Sequence, residues 1–182
     1  MRERLTASAL QTFMKALADA AKAPARVYLV GGASAVLLGW REATIDVDLK
    51  IIPESDEILR SLPQLKEQLK INIELASPDD FIPPLPGWED RSQFIQQEGK
   101  LSFYHYDFYA QALAKIERNF EIDRQDVDRL LAAGLVEPNR LMALFRSIQT
   151  DFHRYPELNF NSFCRAVERV VAAAKGKQSK PW

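Results

Sequence analysis

The sequence predicts an α/β (α+β) fold: a small mixed β-sheet with flanking helices, followed by a C-terminal helical region. Three observations carry the prediction. Short apolar, β-branched runs occur at Arg26–Val30, Thr44–Ile52 and Ile71–Leu75, bounded by glycines, a proline or polar residues. Helical periodicity fills the interval between the second and third runs, and a strand, a helix and a strand in that order imply a right-handed crossover and a mixed or parallel sheet. From Asp107 onward the apolar spacing is that of helices. The expected organisation is a core over residues 1–106 that includes an N-terminal helix, a helical region over 107–174 packed on it, and a flexible tail over 175–182.

Thr6 to Lys22 places Leu10, Phe13, Met14 and Leu17 on one helical stripe, and Pro24 ends the helix and feeds the first strand. Arg26–Val30 runs into Gly31-Gly32, a tight turn, and Ala33 to Leu38 is small and apolar enough to begin a helix. The backbone N–H groups of its first turn would then form an anion site. Thr44 to Ile52 carries Asp46 and Asp48, which an extended chain projects from one face. Two like charges so placed repel, and a divalent cation between them removes that cost; oxygen ligands suit Mg²⁺ or Mn²⁺.

Pro53 closes that strand, and Glu54 to Lys70 reads as a helix with Ile58, Leu59, Leu62, Leu65 and Leu69 inward and a break or kink at Pro63. In the strand that follows, Ile71, Ile73 and Leu75 share one face and Asn72 and Glu74 the other. Ser77 to Trp88 holds four prolines and is a semi-rigid loop. Gln93–Gln97 and Leu101–Tyr106 form a β-hairpin around Glu98-Gly99-Lys100. Phe81, Trp88, Phe103, Tyr104 and Tyr106 admit two readings, core anchors or a surface for stacking a base, and His105 reads as structural. Helices are expected over Asp107–Asn119, from an Asp123 N-cap to Ala133, from Pro138 to about Gln149, and from Asn159 to Ala174 with Phe163, Ala166, Val167 and Val170 inward. Asp151 to Pro156 reads as a turn.

Gly31-Gly32-Ala33-Ser34, a short helix, Arg41-x-x-Thr44 and then Asp46-x-Asp48 resemble the nucleotidyltransferase superfamily of DNA polymerase β. Within it the chain is most similar to the small prokaryotic branch of AbiEii-type toxins, MenT toxins and related uncharacterised proteins of that fold. The likeness runs from Val27 to Val136, with Gly32-Ala33-Ser34 where the superfamily usually has Gly-Ser directly. The resemblance implies that Asp46 and Asp48 bind catalytic Mg²⁺ or Mn²⁺, that Glu74 supplies the third carboxylate, and that Gly31, Gly32 and Ser34 contact phosphate. Arg41 is placed to hold either phosphate or the aspartate pair. The block Ala114-Lys115-Ile116-x-Arg118, followed by Asp123-Arg124-x-Asp126-Val127, looks like the segment whose lysine contacts triphosphate; a solvated charged face is the alternative. The activity implied is transfer of a nucleoside monophosphate from an NTP to a hydroxyl. The acceptor is a tRNA 3′ end, as in the toxins, or a protein, and a cognate antitoxin or toxin partner is implied. An inert, antitoxin-like binding role for the same fold is the competing reading.

Composition bounds these expectations. At 182 residues the chain is long enough for a substantial core. Its single cysteine, Cys164, excludes an internal disulfide and reads as a small core residue. No apolar run long enough to span a membrane and no charged-apolar-small leader is present, so a soluble, cytoplasmic protein is expected. The net charge of −1 conceals an asymmetry, with thirteen acidic against five basic residues over 42–98 and eight basic against three acidic over 140–182. An acidic face beside a basic helical one suits an enzyme acting on a polyanion, or two layers that complement each other.

Overall fold

The computed structural model describes residues 4–178. In chain order the elements are β1 (Leu5–Thr6), α1 (Ala7–Ala20), β2 (Ala25–Val30), α2 (Gly31–Leu37), β3 (Ala43–Thr44), β4 (Asp46–Ile52), α3 (Asp56–Leu69) and β5 (Asn72–Leu75). After a 3₁₀ turn at Pro78–Asp80 come α4 (Trp88–Arg91), β6 (Gln93–Glu98), β7 (Leu101–His105), α5 (Phe108–Arg118), α6 (Glu121–Ala132) and α7 (Pro138–Ser147). A second 3₁₀ stretch, Gln149–Arg154, precedes α8 (Phe160–Gln178). The chain is thus a mixed α+β fold with a small sheet, flanking helices and a C-terminal helical region. No helix among the described residues is long and apolar enough to cross a membrane.

Two compact units divide the chain. The first runs up to Ser77 and resumes over Ser92–Tyr106; the second takes Pro78–Arg91 and everything from Asp107 onward. The proline-rich segment, which the sequence reading left with the core, therefore clusters with the helices.

In the first unit a five-stranded sheet has the order β5-β4-β2-β7-β6. β4 lies antiparallel to β2 and parallel to β5, while β7 is parallel to β2 and antiparallel to β6. The β4–α3–β5 connection is the crossover that the alternation of elements demanded. Val27, Leu29, Val47, Leu49, Ile51, Leu101 and Phe103 point to one side, where Leu10, Phe13, Met14 and Leu17 of α1 and Ile58, Leu62 and Leu65 of α3 bury them. Thr6 caps α1 by accepting from the Ala9 N–H, and Ser55 does the same for α3 at Ile58. α3 continues through Pro63, where a break or kink was expected. The expected strand Thr44–Ile52 is divided, because β3 pairs with β1 in a separate ribbon and Ile45, 62% exposed, separates it from β4.

The second unit is helical. Asp107 caps α5 at the Tyr109 N–H and accepts from the Arg91 guanidinium, with Nη2 at 2.7 Å. Asn119, in the left-handed region at φ 58°, ends α5. Phe163 and Val167 of α8 are buried, with Phe163 edge-on to Phe145. α8 extends beyond Ala174 to Gln178, so the first half of the expected tail is helical and the remainder, 179–182, lies outside the described residues. The predicted turn at Asp151–Pro156 is largely 3₁₀ helix. Cys164 is only half-buried, its thiol directed at Glu168 rather than into the core.

Candidate functional site

Alternation along β4 buries Val47, Leu49 and Ile51 and leaves Asp46 and Asp48 half-buried on the opposite face. The parallel register with β5 sets Asn72 opposite Asp46 and Glu74 opposite Asp48, so all four side chains project from one face of the sheet. A primary amide carries two N–H bonds, and Asn72 Nδ2 divides them between two carboxylates. It donates to Asp46 Oδ1 at 2.8 Å and to Glu74 Oε1 at 2.7 Å. Asp46 and Glu74 are therefore gathered on one nitrogen, which lowers the cost of placing like charges side by side. Leu75, expected inward, is 52% exposed at the end of this edge strand.

The glycine turn abuts the same face. β2 delivers Val30 opposite Asp48, and the chain then turns through Gly31 in the left-handed region at φ 57°. A Cβ built on Gly31 would meet Asp48 Oδ2 at 3.5 Å, so the turn backbone and this carboxylate are neighbours. A side chain at Gly32 would force its surroundings to shift: its Cβ would lie 2.9 Å from Thr44 Cβ and closer still to the Thr44 hydroxyl. The Arg41 guanidinium is next to the same position, at 3.7 Å. α2 begins at Gly31 itself, two residues before the expected start, and is only seven residues long.

Ser34 lies on the buried side of α2, 2% exposed. Its hydroxyl shares a 2.6 Å hydrogen bond with His105 Nδ1 at the end of β7. Burial pushes the His105 pKa down to about 4, so the ring is neutral at ordinary pH.

Lys115 and Arg118 belong to the helical unit. Lys115 Nζ donates to Asp126 Oδ2 at 2.7 Å and lies 3.5 Å from Asp123 Oδ1. Arg118 forks onto Asp123, with Nε donating to Oδ2 at 2.8 Å and Nη2 to Oδ1. Asp123 is fully buried in the first turn of α6, which starts three residues earlier than an Asp123 N-cap would require; it accepts from the Phe120 N–H instead. Burial alone would raise its pKa, but Arg118 and then Lys115 hold the carboxyl below its ordinary range. These two cations thus have internal counter-charges.

Asp46, Asp48, Glu74, Gly31, Gly32 and Arg41 are consequently assembled by the first unit, with Ser34 beneath the turn and Lys115 and Arg118 in the second unit. Sequence reasoning overlooked Asn72, although it stands two residues before Glu74 in a strand and so shares its face. The donor set is hard oxygen and fits Mg²⁺ or Mn²⁺ by chemical type. Among the described residues no group of three or more His, Cys, Asp or Glu side chains is assembled closely enough to hold a metal ion, and Asp46 and Glu74 are bridged instead by Asn72.

No curated protein and no solved structure matches this chain. A family model does, over residues 6–175, a span that contains both units' candidate residues. The chain belongs to that family, described as "Nucleotidyltransferase of unknown function (DUF6036)".

Proposed function

We propose that the protein is a metal-dependent transferase that moves a nucleoside monophosphate from an NTP to a hydroxyl acceptor. The observation that supports the reading is the projection of Asp46, Asp48 and Glu74 from one sheet face, with the Gly31 turn against Asp48. Asp46 and Asp48 are the residues to hold Mg²⁺ or Mn²⁺, which when bound supplies charge neutralisation for the triphosphate and the leaving pyrophosphate. The acceptor oxygen forms its bond to the α-phosphorus as the bond to the bridging oxygen breaks, and pyrophosphate departs with that electron pair. Glu74 is the group placed to take the hydroxyl proton, on release from Asn72. Gly31 and Gly32, bare of side chains, let backbone approach phosphate, and Arg41 adds a forked donor. We assign Lys115 and Arg118 to holding the helical unit together through Asp123 and Asp126, and leave the triphosphate to the turn and Arg41.

The resemblance to AbiEii-type and MenT toxins makes a tRNA 3′ end the first acceptor to try, and a cognate antitoxin the first partner. A second reading, a non-catalytic binding partner with the same fold, is favoured by the burial of Ser34 and by the engagement of Asp46 and Glu74 with Asn72. Incubation with each α-labelled NTP, Mg²⁺, total tRNA and cell lysate separates them. Label on RNA supports the first reading, label on protein makes the enzyme a protein-modifying transferase, and no label with any NTP supports the second. Asp46→Ala must abolish the signal.

A further inference from the structure

We infer that the groove between α6 and α8 is a binding site for an anionic amphiphile, a small molecule with an aliphatic chain and a carboxylate head. The site lies wholly within the helical unit and goes beyond the transferase reading. α6 and α8 both pack on α5. The space left between them is about 520 Å³, within the roughly 300–1,000 Å³ that small-molecule sites occupy. Its apolar lining is aliphatic: Ile116 of α5, Val127 and Leu131 of α6, and Val170, Ala173 and Ala174 of α8. Ile116, Val127 and Ala174 are buried, Leu131 and Val170 half-buried and Ala173 exposed, so burial deepens from the mouth to the floor. Among the described residues that line it, none is aromatic and Asn119 is the one uncharged polar side chain. A base finds no ring to stack on there, whereas a flexible hydrocarbon chain finds a matching surface.

The charged lining is basic. Lys115, Arg124, Arg169 and Lys177 face the groove against one carboxylate, Asp128. Two of these cations are already matched. Lys115 is held by Asp126 and Asp123, and Lys177 Nζ lies 3.6 Å from Asp128 Oδ1, joining α8 to α6. Arg124 on one wall and Arg169 on the other are exposed and make no ion pair among the described residues. Their charge is what a carboxylate head neutralises, and a planar, weakly hydrated guanidinium binds a carboxylate through two parallel N–H bonds. The Lys177–Asp128 pair is solvent-exposed on both sides, and a pair of that kind is weak enough to yield to a ligand entering between the walls. Arg169 and Lys177 belong to the basic excess over residues 140–182. Here that excess borders aliphatic side chains, a combination that matches an amphiphile rather than the uninterrupted polyanion of a nucleic acid.

The test is isothermal titration calorimetry of the full chain at neutral pH with dodecanoate, kept below its micellar concentration. Acetate, the head without the chain, and dodecyltrimethylammonium, the chain with the opposite charge, are the controls. Dodecanoate binds saturably and moves the methyl NMR signals of Val127, Leu131 and Val170, while neither control does. Arg169→Gln weakens binding roughly 10- to 150-fold. Ala132→Trp and Ala173→Trp, one on each wall, put a ring in the groove and abolish binding; both alanines are exposed, so the unfolding midpoint stays that of the parent. Absence of saturable binding, equal affinity for dodecyltrimethylammonium, methyl shifts confined to other residues, or indifference to Arg169→Gln or to the tryptophan variants overturns the proposal. Movement of the same methyls by an acidic amphipathic peptide, with no response to dodecanoate, overturns it as well and makes the groove a docking face for a helix. No nucleotide enters the experiment, so its failure leaves the transferase reading untouched, and a failure of labelled transfer leaves the groove untouched.

Discussion

Gly32→Ala is the substitution whose cost follows most directly from the geometry of the turn. The new methyl would lie 2.9 Å from Thr44 Cβ and closer to its hydroxyl. Thr44 cannot yield freely: its backbone is paired with Leu5 of β1, and its hydroxyl donates to the Asp46 carbonyl at 3.3 Å. Relief therefore means shifting β3 or the start of β4, an overpacking cost of about 1–3 kcal/mol. For a chain of this size that lowers Tm by roughly 2–12 °C. Gly31→Ala is the comparator, since its methyl meets Asp48 Oδ2 at an ordinary 3.5 Å and the cost, about 1–2 kcal/mol, is in the left-handed backbone. Urea and thermal unfolding of Gly32→Ala, Thr44→Gly and the pair form a double-mutant cycle in which Thr44→Gly recovers much of the loss. A Gly32→Ala protein as stable as the parent, or a cycle with no coupling, refutes the reasoning.

Three further outcomes are expected. Lys115→Met leaves the buried Asp123 and Asp126 short of a counter-charge and lowers stability by about 3–5 kcal/mol by denaturant titration; unchanged stability with reduced transfer would return Lys115 to the triphosphate. The His105 pKa is depressed to about 4 in the folded protein, so the unfolded chain takes up its proton first as pH falls from about 6.5. The stability this neutral ring contributes is present above pH 6.5 and is lost toward pH 4, by roughly 3 kcal/mol, and unfolding of His105→Gln shows a shallower decline over that window. Asn72→Leu removes the shared donor between Asp46 and Glu74 and costs about 1–3 kcal/mol at neutral pH, with Mg²⁺ raising Tm more in the variant than in the parent.

What was legible in the sequence was what is local. The two-residue period of a strand put Asp46 and Asp48 on one face, and the helical stripe of Leu10, Phe13, Met14 and Leu17 is fully buried. Hairpin chemistry at Glu98-Gly99-Lys100 located β6 and β7, with Gly99 at φ 51°. What depends on pairing between distant segments was not legible. Nothing in the spacing sets Asn72 opposite Asp46, since that register follows from how α3 seats β5. Ser34 reads as a phosphate contact because its partner, His105, is 71 residues away and drawn in by the β2–β7 pairing. Lys115 and Arg118 read as triphosphate contacts or a solvated charged face because their partners lie on the next helix, whose start at Glu121 makes Asp123 a buried acceptor rather than a cap.

Pyrophosphate release is the measurement closest to the central claim, because it reports the bond broken whatever the acceptor. With NTP, Mg²⁺ and the acceptor fraction that takes label, the parent protein releases one pyrophosphate per label transferred, and Asp46→Ala and Asp48→Ala each release at least about a hundredfold less. Equal release by the parent and both variants, with all three correctly folded, would mean that the acidic face of β4 does not carry the chemistry.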